Sequence, residues 1–222
     1  MIALDRYNVD LEAFLNMGGQ IDEERPIHTD FAPIYDTDGQ YILMGRWTLD
    51  KVWDRQPSKH YDIGGEIKWL AFLSKFVPVE HIDIRDPGIN LGGLGIRQGS
   101  ITALPYPDGS LDSLSCLHVA EHIGLGRFGD EVDPRGFEKA CAELSRVLAP
   151  GGRLYFAVPT GRPKVVFNAH RVLSSEQVLT AFHGLKVLEF AGISTDGRYG
   201  TNIAPHALDS EAYGCGMWEF TK

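Results

Sequence analysis

Apolar residues in this sequence recur at two spacings, the three-to-four interval of an amphipathic helix and the short runs of a buried strand, and the two alternate along most of the chain. The clearest unit spans residues 59–83. A short β-rich segment ends at Asp62, Gly64 and Gly65 make a turn, and Ile67, Leu70, Ala71 and Ser74 then repeat at helical spacing. Leu73 and Phe76 widen that face before a second strand ends at Asp83. The pattern predicts a βαβ unit. Its right-handed crossover puts the glycines and Asp83 at the carboxyl edge of a parallel sheet, where doubly wound folds bind ligands. Asp83 follows Gly64 at about the offset at which an acid can hold a ribose hydroxyl, which makes this a candidate nucleoside site.

Downstream, residues 111–118 form an apolar, strand-like run, and 134–148 trace a helix with Phe137, Ala140, Cys141, Leu144 and Val147 on one face. A strand is predicted at 153–158. Ser174 with Gln177 three residues later forms a capping-box pattern that opens a helix through Val178, Leu179 and Phe182. Residues 186–193 and 217–220 supply the last two strands. Alternation of strand and helix predicts an α/β fold, doubly wound, with a mainly parallel sheet.

Two regions depart from this rhythm. Residues 1–58 contain one helix-like stretch with Val9, Leu11, Phe14 and Leu15, a turn-rich segment from 20 to 39, and a second helix over 41–53 weighted by Trp47, Val52 and Trp53. They are taken as an N-terminal helical cap near the ligand edge, ahead of an α/β domain over 59–222. Glycine-rich stretches follow Asp83 and His122. The first, containing Gly92, Gly93 and Gly95, lacks the lysine and following helix of a phosphate loop and is expected to be a flexible connection before a strand at 98–101. The second, 124–134, suggests a mobile lid.

Composition narrows the partners. With a formal net charge of −9 and no dense Lys/Arg block, the chain is not expected to bind nucleic acid. It has no apolar run of the ~20 residues that a membrane span needs and no signal-peptide pattern, so the expectation is a cytoplasmic protein without a membrane partner. Three widely spaced cysteines, Cys116, Cys141 and Cys215, match neither a disulfide framework nor a thiolate zinc site.

Candidate chemistry clusters in two places. His118-Val-Ala-Glu121-His122 spells H-x-x-E-H, which binds zinc only when one continuous helix puts both histidines on one face. Here an apolar strand precedes His118, and Gly124 and Gly126 cut any helix short, so no metal is expected. The stretch instead belongs at the rim of a cleft, where Glu121 and His122 could position or deprotonate a substrate. The second place is Phe167-Asn168-Ala169-His170-Arg171, a loop after the 153–158 strand whose polar tips face the ligand edge.

Taken in order, Asp62-Ile-Gly64-Gly65, Asp83, the 104–112 turn, His118 to Ile123 and Glu143 to Gly152 resemble the class I S-adenosylmethionine-dependent methyltransferases over about residues 59–222. The HYDIGG, SLSCLHVAEHIGLGRFGD, FNAHR and GCGMWEF stretches further resemble a family of uncharacterised methyltransferase-like proteins, a domain of unknown function sometimes encoded beside polysaccharide-biosynthesis genes. The resemblance implies a Rossmann-like, seven-stranded sheet with an antiparallel last strand and S-adenosylmethionine as cofactor. It implies methyl transfer to an oxygen or nitrogen of a small acceptor, sugar-derived molecules being among the candidates. Gly64 and Gly65 would approach the methionine part, Asp83 the ribose hydroxyls, and Ser100 and Ile101 the adenine, with Asp62 and His118 also bordering the cofactor. His122 or His170 would act as base with Glu121 orienting, while Asn168 and Arg171 would contact the acceptor. Glu66 stands where the family pattern has glycine, and Ser100 where many relatives carry an acid. A non-catalytic binding module on the same fold is the alternative reading, and a zinc hydrolase a more distant one.

Overall fold

The computed structural model describes residues 3–20 and 39–222, and the chain divides into two compact units, 1–38 and 39–222. In the first, α1 (Ala3–Asn16) covers the predicted helical stretch and gives way to a turn in which Gly18 has a φ of 87°. The turn-rich segment expected over 20–39 lies, apart from its two end residues, outside the described residues.

The second unit is an α/β sandwich. In chain order its elements are α2 (Gly39–Arg55), β1 (His60–Ile63), α3 (Ile67–Leu73), β2 (Val79–Asp83), β3 (Leu94–Gln98), β4 (Leu111–Leu117), α4 (Gly136–Val147) and β5 (Leu148–Thr160). There follow β6 (Lys164–Val166), β7 (His170–Val172), α5 (Ser175–Ala181), β8 (Lys186–Ile193), β9 (Tyr199–Thr201) and β10 (Gly214–Thr221). The main sheet has the order β3-β2-β1-β4-β5-β10-β8-β9. From β3 to β5 all pairs are parallel, and β10 runs antiparallel to both neighbours. Six of the seven expected strands lie where they were expected, and the third is displaced from 98–101 to Leu94–Gln98, into the stretch expected to be a flexible connection. The short β9 adds an eighth along β8, and β6 with β7 forms a separate hairpin where a loop was expected.

Alternate residues of the central strands face opposite helical layers. Leu154, Phe156 and Val158 of β5 pack with Phe137 and Leu144 of α4 and with Val178 of α5. Tyr155 and Ala157 pack with Met44, Trp47 and Val52 of α2 and with Leu70 and Leu73 of α3. Burial on both faces explains why these strands are apolar throughout instead of alternating. It also moves a boundary. Helix α2 covers one sheet face, burying three large side chains at about 1.5–3 kcal/mol each, so the division expected at 58/59 falls at 38/39. Its Trp47 Nε1 donates to Glu189 at 3.1 Å, and Lys51 pairs with Glu219 at 2.9 Å.

Two other boundaries differ for local reasons. Helix α3 ends at Leu73, leaving Phe76 63% exposed against Trp53, and Pro78 keeps the helix from resuming beyond Val77. Strand β3 begins at Leu94, earlier than expected. A Cβ on Gly93 would lie 2.4 Å from the Ser74 carbonyl, so the glycine lets the chain pass close under the end of α3 and join β2 there.

Candidate active site

Strands β1 and β4 are neighbours whose connections leave in opposite directions, which opens a crevice beyond their carboxyl ends. A cavity of about 870 Å³ occupies that edge, within the usual range for small-molecule sites. Its first wall is the turn after β1. Gly64 has φ 65°, and a Cβ there would lie 2.8 Å from Val119, so this position requires glycine. Glu66 has φ −69°, which any residue adopts, so the departure from the glycine pattern costs no backbone strain.

The turn is held from behind by a buried polar chain. Asp62 accepts from Gly65 N at 3.0 Å, from His81 Nδ1 at 2.9 Å and from Ser115 Oγ, while His60 bridges Ser113 at 2.8 Å and Ser115 at 2.9 Å. Burial pulls the His60 imidazole down to about 4. Burial also pulls on His81, but its hydrogen bond to the Asp62 carboxylate and that group's charge outweigh it and raise the imidazole above its ordinary value. Asp62 is fully buried and is not part of the cavity wall. It positions the turn instead of bordering a ligand.

The second wall is the end of β2 with the segment after β3. Asp83, Ser100 and Ile101 all line the cavity. Arg85 meets Asp83 with both Nε and Nη2 at 3.1 Å, and its guanidinium lies 4.6 Å from the Phe128 ring centroid. Sequence reading passed over Arg85; its place two residues after a strand-end acid was the available signal.

The floor follows β4. His118 takes φ 55°, and one 3₁₀ turn, Ala120–His122, replaces the continuous helix that a zinc-binding H-x-x-E-H would need. Among the described residues no His/Cys/Asp/Glu group is arranged to hold a metal. Glu121, expected at the rim, is 0% exposed and lines the cavity. Burial pushes its carboxyl up to about 8 and holds His118 down at about 3 and His122 at about 4. His122 Nδ1 bonds the Ala169 carbonyl at 2.6 Å, and His170 stacks edge-on against Tyr213 at 5.1 Å.

Gly64, Gly65, Asp83, Ser100, Ile101, His118, Glu121, His122 and His170 thus border one cavity, joined by Tyr41, Arg127 and Tyr213, which the sequence did not single out. Asn168 is exposed in the loop between β6 and β7 and is not part of that wall. Arg171 is buried, 7% exposed, and donates to the carbonyls of Ile123 at 2.7 Å and Glu121 at 3.2 Å. It therefore fastens the floor and presents no free charge to an acceptor. The expected lid is also tied down. Asp130 accepts from Gly124 N at 2.7 Å and Phe128 N at 3.2 Å, and Asp133 N donates to the Gly124 carbonyl at 2.9 Å.

Comparison with known structures decides the fold. A SAM-dependent methyltransferase from Thermotoga maritima matches 82% of this chain and 94% of its own with a TM-score of 0.51 at 16% identity. The chain has the class I methyltransferase fold. The [4+2]-cyclase SpnF is similar in fold with a TM-score of 0.62, over 96% of this chain and 92% of its own at 14% identity. In sequence, the demethylmenaquinone methyltransferase of Thermus thermophilus is 28% identical over 176 residues, which cover 71% of this chain and 75% of that protein. Three further curated methyltransferases are matched over 30–57% of their own length. The family described as "Caenorhabditis protein of unknown function, DUF268" matches residues 106–212. That segment begins at Tyr106 and includes the floor of the methyltransferase-fold cavity, the β6–β7 hairpin and Tyr213's immediate neighbour Ala212.

Proposed function

We propose that the cavity carries methyl transfer from S-adenosylmethionine to an oxygen or nitrogen of a small acceptor. The observation that supports this best is convergence. A bare glycine turn, an acid at the end of β2, the Ser100-Ile101 segment and a buried titratable floor all meet at the switch point of a methyltransferase fold.

The residues suit the cofactor chemically. Gly64 and Gly65 leave backbone uncovered at the cleft, the Asp83 carboxylate can accept from a ribose diol, and Ser100 with Ile101 offers a polar and an apolar contact for a base. S-adenosylmethionine, when bound, supplies an activated methyl group. The protein's part is then alignment, exclusion of water and removal of a proton from the acceptor. Burial makes the imidazoles of His122 and His170, the two histidines expected to act as base, weaker proton acceptors than usual, so we assign the proton-accepting role to Glu121, with the histidines around it. Sugar-derived molecules remain candidates for the acceptor. The Thermus relative is named for a quinone substrate, and a hydroxyl-bearing ring would meet the same requirement for a base.

The second reading is a non-catalytic binding module, which the two-pronged Arg85–Asp83 pair favours because it already engages the acid. Calorimetric titration with S-adenosylmethionine and S-adenosylhomocysteine separates the two. Saturable heat with a raised melting temperature is expected for both ligands. Asp83→Ala is expected to weaken binding by about 1.5–3 kcal/mol, roughly 10- to 150-fold. No response to either ligand at millimolar concentration would remove the enzyme reading.

A further inference from the structure

One group in the floor of the cavity is not satisfied by the protein around it. Glu121 is fully buried, and neither of its carboxyl oxygens has a hydrogen-bond partner. His118 Nδ1 lies 3.4 Å and His122 Nε2 3.5 Å from its Oε1. The backbone beneath is fastened by Arg171, whose guanidinium holds the carbonyls on either side of His122. The carboxyl is therefore held in the cavity wall on a fixed turn.

The imidazoles and thiols around it are shifted by burial toward their uncharged forms. His118 from the end of β4 and His122 beside it are neutral imidazoles, and His118 Nε2 contacts Cys215 Sγ of β10 at 3.2 Å. Burial keeps the Cys215 and Cys116 thiols and the Tyr213 hydroxyl protonated. Burial likewise lowers His170, across the cavity on β7. Arg127 is the cation whose charge reaches Glu121, and its guanidinium is exposed and turned to the Ala169 carbonyl at 3.0 Å. Arg171 lies behind the turn and contacts backbone. An ionised carboxylate in this position costs several kcal/mol unless a positive charge or a donor comes to it.

On the reading that the cavity binds S-adenosylmethionine, we infer that Glu121 is a neutral acid in the free protein, releases its proton when the sulfonium charge arrives, and then serves as the base for an acceptor that enters with a proton on its reacting atom. The acceptor is thus a hydroxyl or N–H compound. Its O–H or N–H bond breaks with the proton going to Glu121, and the freed electron pair forms the bond to the methyl carbon. The sulfur keeps the pair of the broken S–CH₃ bond. Sulfonium and carboxylate charges disappear together, a change that a water-poor cleft favours. The arriving cofactor therefore arms the base, and without it Glu121 stays protonated.

Proton linkage tests this without any acceptor. S-adenosylmethionine and S-adenosylhomocysteine differ by one methyl and one positive charge. Titration of the full chain with each at pH 7.5, in buffers of high and low ionisation enthalpy, counts protons released on binding. S-adenosylmethionine is expected to release ~0.7–0.8 proton more than S-adenosylhomocysteine, the protonated fraction at pH 7.5 of an acid that titrates near 8. Glu121→Gln is expected to bind both and to release equal numbers. Carbon-13 spectra of side-chain-labelled glutamate in the wild-type protein give a second measurement if that variant does not fold. One carboxyl should titrate near pH 8 in the homocysteine complex and well below 7 in the methionine complex. Equal proton release in the wild type, or a difference that survives in Glu121→Gln, would overturn the inference while leaving the methyltransferase reading in place. Failure of both ligands to bind would remove that reading instead.

Discussion

Asp62→Ala is expected to lower the folding stability of the chain by about 3–5 kcal/mol, read from urea denaturation, and the melting temperature by roughly 6–20 °C. The reason is the number of groups that depend on one carboxylate. Asp62 is 0% exposed and accepts from His81, Ser115 and the Gly65 amide. Removing it leaves the imidazole of His81, which is 3% exposed, without its counter-charge, and the Gly65 N–H without an acceptor. The comparison variant Ser115→Ala loses a single hydroxyl and should cost only about 0.5–1.5 kcal/mol. Cofactor affinity should fall with Asp62→Ala in whatever fraction stays folded, because Gly65 is the residue that Asp62 fixes. A melting temperature within 2 °C of wild type would mean that the glycine turn holds its shape without this support.

Stability against pH is expected to peak near pH 6.5. His60, His118 and His122 are held at about 4, 3 and 4, against an ordinary 6.5. Between those values the unfolded chain binds protons that the folded chain refuses, so stability is lost as pH falls below 6.5. Glu121 acts in the opposite sense. Its carboxyl is pushed from 4.5 to about 8, so over that window the folded chain keeps a proton that the unfolded chain has released, and stability is lost as pH rises. His81, raised by Asp62, adds to the loss above 6.5. Below 6.5 the three histidines outweigh the one carboxyl, with a net loss on the order of 4 kcal/mol by pH 5. From pH 6.5 to 8 Glu121 alone accounts for roughly 2 kcal/mol. Glu121→Gln should flatten that upper limb and leave the lower one in place or steepen it. Urea midpoints that stay constant from pH 5 to 8 would contradict the buried, uncompensated state of these groups.

The architecture was largely legible in the sequence because its signals are local and repeated. Gly64 and Gly65 follow an apolar strand, Ser174 and Gln177 form the capping box observed at α5, and Phe137 to Val147 keep one helical face. The candidate site was legible where chain position alone determines it. Residues just beyond a parallel strand, such as Gly64, Asp83 and His118, must stand at the ligand edge. Direction along the side chain was not legible. Asp62 and Arg171 are as polar as Asp83 and Arg85, yet one pair is turned inward to satisfy backbone and neighbours and the other outward into the cavity. Glu121 shows the same limit from the other side. A residue type that is almost never buried alone reads as rim, and only the packing of His118, Cys215 and Arg171 around its turn places it in the floor.

The position of β10 has a consequence for synthesis. Strands β5 and β8 do not touch; Phe156 and Phe190 lie on either side of Trp218, and each is paired through residues 214–221. As the chain leaves the ribosome in order, β1 to β5 can assemble into a five-stranded parallel sheet while β8 and β9 exist only as a hairpin with an open apolar edge. The two halves join when the latest-made strand slides between them, so the edge of β5 stays open from residue 161 onward, and that of β8 from residue 194, until residues 214–221 emerge. A stalled product ending before residue 214 should therefore be bound by chaperones or aggregate, whereas loss of α1 should leave the order of sheet assembly unchanged.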